Sequence, residues 1–191
     1  DDGAGSKFFV GLLVGSGAGY AAGNGDLDRN TQYSSGSVAV AQAGHIAPEF
    51  GYWLRPNMML SLQLRYQYIT GPTEIVSGTR TLHPANYALA AFAKATWMFG
   101  HGNLRPLFSL AVGGGEIRHV VQHPTLRDCG PKKNLTCIDT IAGGPALAGA
   151  GAGIMYNLTP RLALIAALNT QIGAPDFTFN LDANIGAAFG F

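Results

Sequence analysis

The side chains able to do chemistry are few and scattered. Five histidines occur, His45, His83, His101, His119 and His123. His119 and His123 stand four apart, a spacing that aligns side chains only on a helix, and no acid beside them completes a ligand set for a metal. No serine, histidine and acid fall into a nucleophilic arrangement. The sequence therefore predicts no catalytic activity, no metal and no cofactor. Two cysteines, Cys129 and Cys137, enclose the segment RDCGPKKNLTC with Gly130 and Pro131 between them. They read as a small disulfide-closed loop of an oxidising compartment, worth about 2–3 kcal/mol on loop entropy; two free thiols close in sequence are the alternative. Arg118, Arg127, Lys132 and Lys133 outweigh Asp128 and Asp139 around this loop. That balance suits a phosphate group or an acidic partner surface, or simply a solvated loop.

The elements that carry these residues follow a period of two. The chain ends FTFNLDANIGAAFGF: Phe177, Phe179, Leu181, Ala183, Ile185, Ala187, Phe189 and Phe191 share one phase. Thr178, Asn180, Asp182, Asn184, Gly186, Ala188 and Gly190 share the other, so this is a strand with one apolar and one narrow, polar face. Glycines recur at the same period at 15, 17 and 19, at 113 and 115, and at 149, 151 and 153. Alternation predicts eight strands, over 7–20, 43–54, 58–69, 86–99, 106–119, 141–156, 162–173 and 177–191. Each matches or exceeds the roughly 9–11 residues a tilted strand needs to cross a bilayer.

Composition fits the same picture. Of 191 residues 47% are hydrophobic and only 12% charged, with 27 glycines and a net charge of +1. The length suits one domain, 1–191 with a tail at 1–6. A charged fraction this low does not clothe an ordinary soluble surface. Yet the most apolar segment, FFVGLLVGSGAGYAAG at 8–23, falls short of the roughly 20 residues of a spanning helix. The chain starts at Asp1 with no basic region ahead of a hydrophobic segment, and so reads as a processed protein or as a domain of a longer one.

Short connections at 55–57, 100–105 and 157–161 alternate with long ones at 21–42, 70–85 and 120–140, which puts the short turns at the end holding both termini. A short connection near Gly173 to Asp176 makes one low point in the far rim. Only Glu49, Arg65, Lys94 and Asp182 place charge well inside the strands, each in the phase opposite its apolar and aromatic neighbours. Aromatics gather near both strand ends: Tyr52, Trp97, Phe99, Tyr156, Phe189 and Phe191 at the short turns, and Tyr66, Tyr68, Tyr87 and Phe177 at the loops. Two aromatic belts around an apolar band belong at membrane interfaces. The fold class is therefore all-β, an eight-stranded antiparallel up-and-down transmembrane barrel with apolar residues outward and a narrow interior of Gly, Ala, Ser, Asn and Gln. Glu49, Arg65, Lys94 and Asp182, with Gln63, Gln67, Asn169, Gln171, Asn180 and Asn184, are expected to form an interior network, because an unpaired charge there costs several kcal/mol. Glu49 is expected within a residue or two of facing Arg65 across the hairpin at 55–57. A narrow polar pore is the alternative, depending on whether the space left by the inward glycines is filled.

These eight alternating spans, the short turns, the long loops and the terminal AAFGF resemble the small outer-membrane barrels of Gram-negative bacteria, of the OmpA-transmembrane-domain and OmpX type. The resemblance covers Lys7 to Phe191. It implies a bacterial outer-membrane location with periplasmic termini, surrounding lipid and lipopolysaccharide as partners, and Phe189 and Phe191 as a signal read by the barrel-assembly machinery. Arg127, Lys132 and Lys133 become possible loop contacts, and a protein partner at the loops or the periplasmic end is compatible with it; no nucleic acid is expected. Barrel lipid A deacylases of similar size carry a His and a Ser two residues apart, and RHVVQHPT has no such serine. The role implied is a structural anchor or a surface binding and adhesion scaffold with a plugged lumen. A narrow channel comes second and an outer-leaflet lipid enzyme third.

Overall fold

The computed structural model describes residues 7–26, 32–35, 42–69, 75–77, 80–82, 86–122 and 138–191. They form twelve strands: β1 (Phe8–Asn24), β2 (Gln32–Ser35), β3 (Gln42–Arg55), β4 (Met58–Ile69), β5 (Ile75–Ser77), β6 (Arg80–Leu82), β7 (Tyr87–Met98), β8 (Leu104–Gly115), β9 (Ile117–Gln122), β10 (Ile138–Asn157), β11 (Leu162–Asp176) and β12 (Thr178–Gly190). Eight of them are staves that pair antiparallel in the order β1, β3, β4, β7, β8, β10, β11, β12 and back to β1. The ring is thus an eight-stranded closed barrel. Closure satisfies every stave on both sides, which an apolar surrounding demands. The closing seam runs from Phe9 opposite Gly190 to Ala21 opposite Thr178, and Phe191 exchanges backbone hydrogen bonds with Phe8 at 3.2 and 2.9 Å.

Tight turns fix the staves. Thr159 Oγ1 accepts from the backbone N–H groups of Arg161 and Leu162 at 3.2 and 3.0 Å, a side-chain turn that reverses the chain between β10 and β11. Between β11 and β12 the ladder closes at Gly173 opposite Thr178, so residues 174–177 make the reversal. The aromatic and aliphatic phase faces out: on β12, Thr178, Asn180 and Asp182 are 0–1% exposed whereas Phe179, Leu181 and Ile185 are 41–65% exposed. At the short turns Phe8 stacks on Phe50 at 6.0 Å, and toward the loops Tyr66 stacks on Tyr87 at 5.8 Å.

The interior departs from the expected narrow polar lining in one respect. Toward the short turns it is apolar, filled by Phe9, Leu13, Met59, Met98, Leu107, Met155 and Ile165, with Trp53 packed against them. An eight-stranded lumen has room only for side chains, and apolar ones fill it without needing hydrogen-bond partners. A second departure lies at the loop end. The span predicted over 106–119 breaks at Gly115, where φ is +128°, and β10 turns at the neighbouring Gly144, where φ is +138°. Only glycine takes such values without strain, so the two strands bend together there.

Candidate functional site

Above the apolar layer the lumen holds the charges. Lys94 Nζ lies 3.0 Å from Glu49 Oε2, and Glu49 also accepts from Ser61 Oγ at 2.5 Å and Gln63 Nε2 at 2.9 Å. Arg65, 2% exposed, donates to Asp182 through Nε at 3.1 Å and Nη2 at 3.3 Å. Its Nη1 donates to Gln67 Oε1 at 2.9 Å. Asn180 Nδ2 donates to Asp182 Oδ1 at 2.6 Å and to Gln171 Oε1 at 2.9 Å. His45 bridges to Asn184 Oδ1 through Nε2 at 2.6 Å, leaving Nδ1 3.3 Å from Arg65 Nη2. The chemistry this arrangement supports is mutual neutralisation: each buried charge has an opposite partner and each carboxylate has further donors, the condition under which such charges are tolerated in a dry interior.

The strands make this register. Glu49 faces Gln63, so Arg65 sits two residues further along β4 and pairs with Asp182 on β12 instead, while Lys94 on β7 reaches back over β4 to Glu49. The inward glycines of β1 give the polar side chains of β12 their room. Gly15, Gly17 and Gly19 stand directly opposite Asn184, Asp182 and Asn180. A Cβ on Gly15 would overlap the Asn184 amide, and one on Gly17 the Asp182 carboxylate. On β10, a Cβ on Gly151 would meet the Asn169 amide and the Ser109 hydroxyl. The space those glycines leave is therefore occupied.

At the loop end, β9 pairs with the start of β10 from Ile117 opposite Gly143 to Gln122 opposite Ile138. This hairpin does not continue the wall. Consecutive residues are buried on both of its faces, His119, Val120 and Val121 on one strand and Asp139, Thr140 and Ile141 on the other. β9 reaches β1, β4 and β7, and β1 lies across the ring from the β8–β10 seam where the hairpin is attached. The hairpin thus folds inward over the mouth. Gln67 holds it there with its side-chain amide, which imitates a neighbouring strand: Nε2 donates to Arg118 O at 2.6 Å and Oε1 accepts from Arg118 N at 3.2 Å. His119 Nε2 lies 2.7 Å from Thr178 Oγ1, and Arg118 pairs with Asp26 and, at 2.8 Å, with Glu116.

Phe189 and Phe191 lie on the outer surface at the short-turn end. Cys129, Cys137, Arg127, Lys132 and Lys133, like His83 and His123, lie outside the described residues. His101 is exposed in the β7–β8 turn. The sequence reading passed over His45 and His119 as lumen residues. Their signal was parity: His45 shares the phase of Glu49, and His119 continues that of Gly113 and Gly115. Among the described residues no group of three metal-ligating side chains forms.

A closed ring of eight antiparallel strands, apolar without and filled within, is the architecture of a small membrane-spanning β-barrel. Among solved structures the chain shares this fold with Neisserial surface protein A, at 12% identity and a TM-score of 0.58 over 98% of this chain and 99% of that one. It shares it also with the attachment invasion locus protein Ail of Yersinia pestis, at 9% identity and a TM-score of 0.53 over 98% and 99% of the two chains. The N-terminal barrel of OprF from Pseudomonas aeruginosa matches at 16% identity and a TM-score of 0.51 over 97% and 99%. The fold is that of the small outer-membrane barrels. No protein-family model and no curated protein matches the chain.

Proposed function

We propose that this chain is a non-conducting barrel of the bacterial outer membrane, an anchor whose outer loops serve as a binding surface. The observation that carries this reading is the filled lumen: an apolar layer toward the short turns, paired charges above it, and a hairpin across the mouth. In this reading the termini and short turns face the periplasm, lipid and lipopolysaccharide surround the wall, and Phe189 and Phe191 serve recognition by the assembly machinery. The long loops, with Arg127, Lys132 and Lys133, meet a protein or lipopolysaccharide partner. The test is single-channel recording of the refolded barrel in a planar bilayer, with heat-modifiable gel migration confirming the fold. Silence is expected from the native chain and from Arg65→Ala, because the apolar layer around Leu13 and Met98 is intact in both. Discrete current steps in the native chain would overturn this reading in favour of a channel.

A further inference from the structure

We propose that the hairpin of β9 and the start of β10 is a moving plug, swinging as one unit about Gly115 and Gly144 to open and close the mouth of the lumen. Three observations carry this. The first is the pair of bends. Gly115 and Gly144 lie one step apart in register on neighbouring strands, both at positive φ, and a Cβ on either would run into backbone, that of Leu89 at Gly115 and that of Gly115 itself at Gly144. The crease where wall turns into plug is thus lined by backbone and the small side chain of Ala90, and glycine gives that crease its freedom.

The second is the way the hairpin is seated. The staves are joined to one another by long ladders, for example thirteen consecutive pairs from Phe9–Gly190 to Ala21–Thr178. The hairpin has a ladder only within itself. Where it crosses the lumen it is held by side chains, Gln67 on Arg118, Thr178 on His119 and Asp26 on both Arg118 and Thr140, and by one isolated bridge with an adjoining bond, Gly25 opposite Ile141 and Asp26 N to Thr140 O at 3.1 Å. Ile117 packs with Phe92 and Leu147, and Ile141 with Ala21 and Val121. Such a unit separates from the wall without breaking a stave ladder, the condition for opening below the cost of global unfolding.

The third is an incomplete fit. His119 Nδ1 on the hairpin and Asn180 Oδ1 on the wall are buried without a hydrogen-bond partner among the described residues. A buried orphan costs free energy that hydration returns, so the closed state is handicapped relative to the open one. Opening uncovers His45, Arg65, Gln67, Asn180 and Asp182 above a floor that remains apolar. The result is a blind polar cup open to water and small solutes from the loop side, not a pore, so the proposal is independent of the silence expected in the bilayer recording. Gln67 joins the two regions, since its Oε1 accepts from both Arg65 and Arg118.

The test is residue-resolved amide hydrogen exchange of the full chain in lipid nanodiscs. Hairpin amides within 118–121 and 140–143 are expected to exchange at one common rate, at least about ten-fold faster than wall amides such as those of Leu110, Ala150 and Leu181, as a sub-global opening requires. Gln67→Ala should speed the hairpin a further several-fold and leave the wall unchanged. Thr178→Val, which removes the His119 contact with little change of shape, should act in the same direction, and serves where Gln67→Ala fails to insert. Hairpin amides as slow as those of the wall, or exchanging at unrelated individual rates, would overturn the proposal. So would variants that loosen wall and hairpin equally.

Discussion

Replacing Asp182 by asparagine removes one charge from the layer and almost no volume. In the native barrel the Asp182 carboxylate takes two bonds from Arg65 and one from Asn180. Breaking a buried pair from one side costs about 3–5 kcal/mol, because the remaining charge is stranded. The asparagine keeps one oxygen acceptor and with it roughly 1 kcal/mol of hydrogen bonding. The expected loss is therefore about 3 kcal/mol. Urea unfolding in lipid vesicles, followed by the fluorescence of Trp53 and Trp97, reads this directly: with m near 1–3 kcal/mol/M, the midpoint falls by about 1–3 M. The companion Arg65→Met/Asp182→Leu removes both charges and keeps the branching at 182, and should be more stable than the single variant, since a buried pair replaced by apolar groups strands no charge. A single variant within about 1 kcal/mol of native, or a double variant less stable than the single, would refute the claim that pairing is what makes these charges tolerable.

Two further substitutions test the layers on either side of the wall. Leu13→Ala opens a cavity in the apolar layer and should cost about 2–5 kcal/mol in the same urea assay. Leu168, 57% exposed and near the middle of β11, should tolerate arginine badly, at about 2–4 kcal/mol, because it faces hydrocarbon. In a soluble protein the same exposed change falls within about 0.5 kcal/mol, so a neutral Leu168→Arg in vesicles would contradict a lipid-facing wall.

Period-two alternation made the staves readable, since a strand with one polar phase announces both its faces, as β12 does. It failed where both phases are apolar. In FFVGLLVG, Phe8, Val10 and Leu12 go to the outside while Phe9 and Leu13 fill the lumen, and nothing in the alternation separates them. Charged side chains could be assigned to the interior, but not to partners. Lys94 rather than Arg65 meets Glu49 because register and the curvature of the ring decide proximity, and both are long-range properties. The hairpin was hidden for the opposite reason: Ile117 and His119 keep the parity of β8, so the sequence reads as uninterrupted wall. The two glycines that interrupt it, followed by Glu116 and by Pro145, are visible only as composition until the backbone shows that they sit side by side on neighbouring strands.

The opposition of Gly15, Gly17 and Gly19 to Asn184, Asp182 and Asn180 has a consequence for how this sequence can diverge. Gly15 and Gly17 share one volume with the β12 side chains opposite them, Asn184 and Asp182, so neither member of these pairs drifts alone. An alanine at 17 needs residue 182 shortened and the β12 backbone at Leu181 shifted as well, and losing that carboxylate strands Arg65 across the lumen. The three positions form an inherited unit, to be read in any relative as covariation between the first strand, the last strand and the fourth. A relative in which the glycine is filled should be found to have rebuilt the charge layer as a whole.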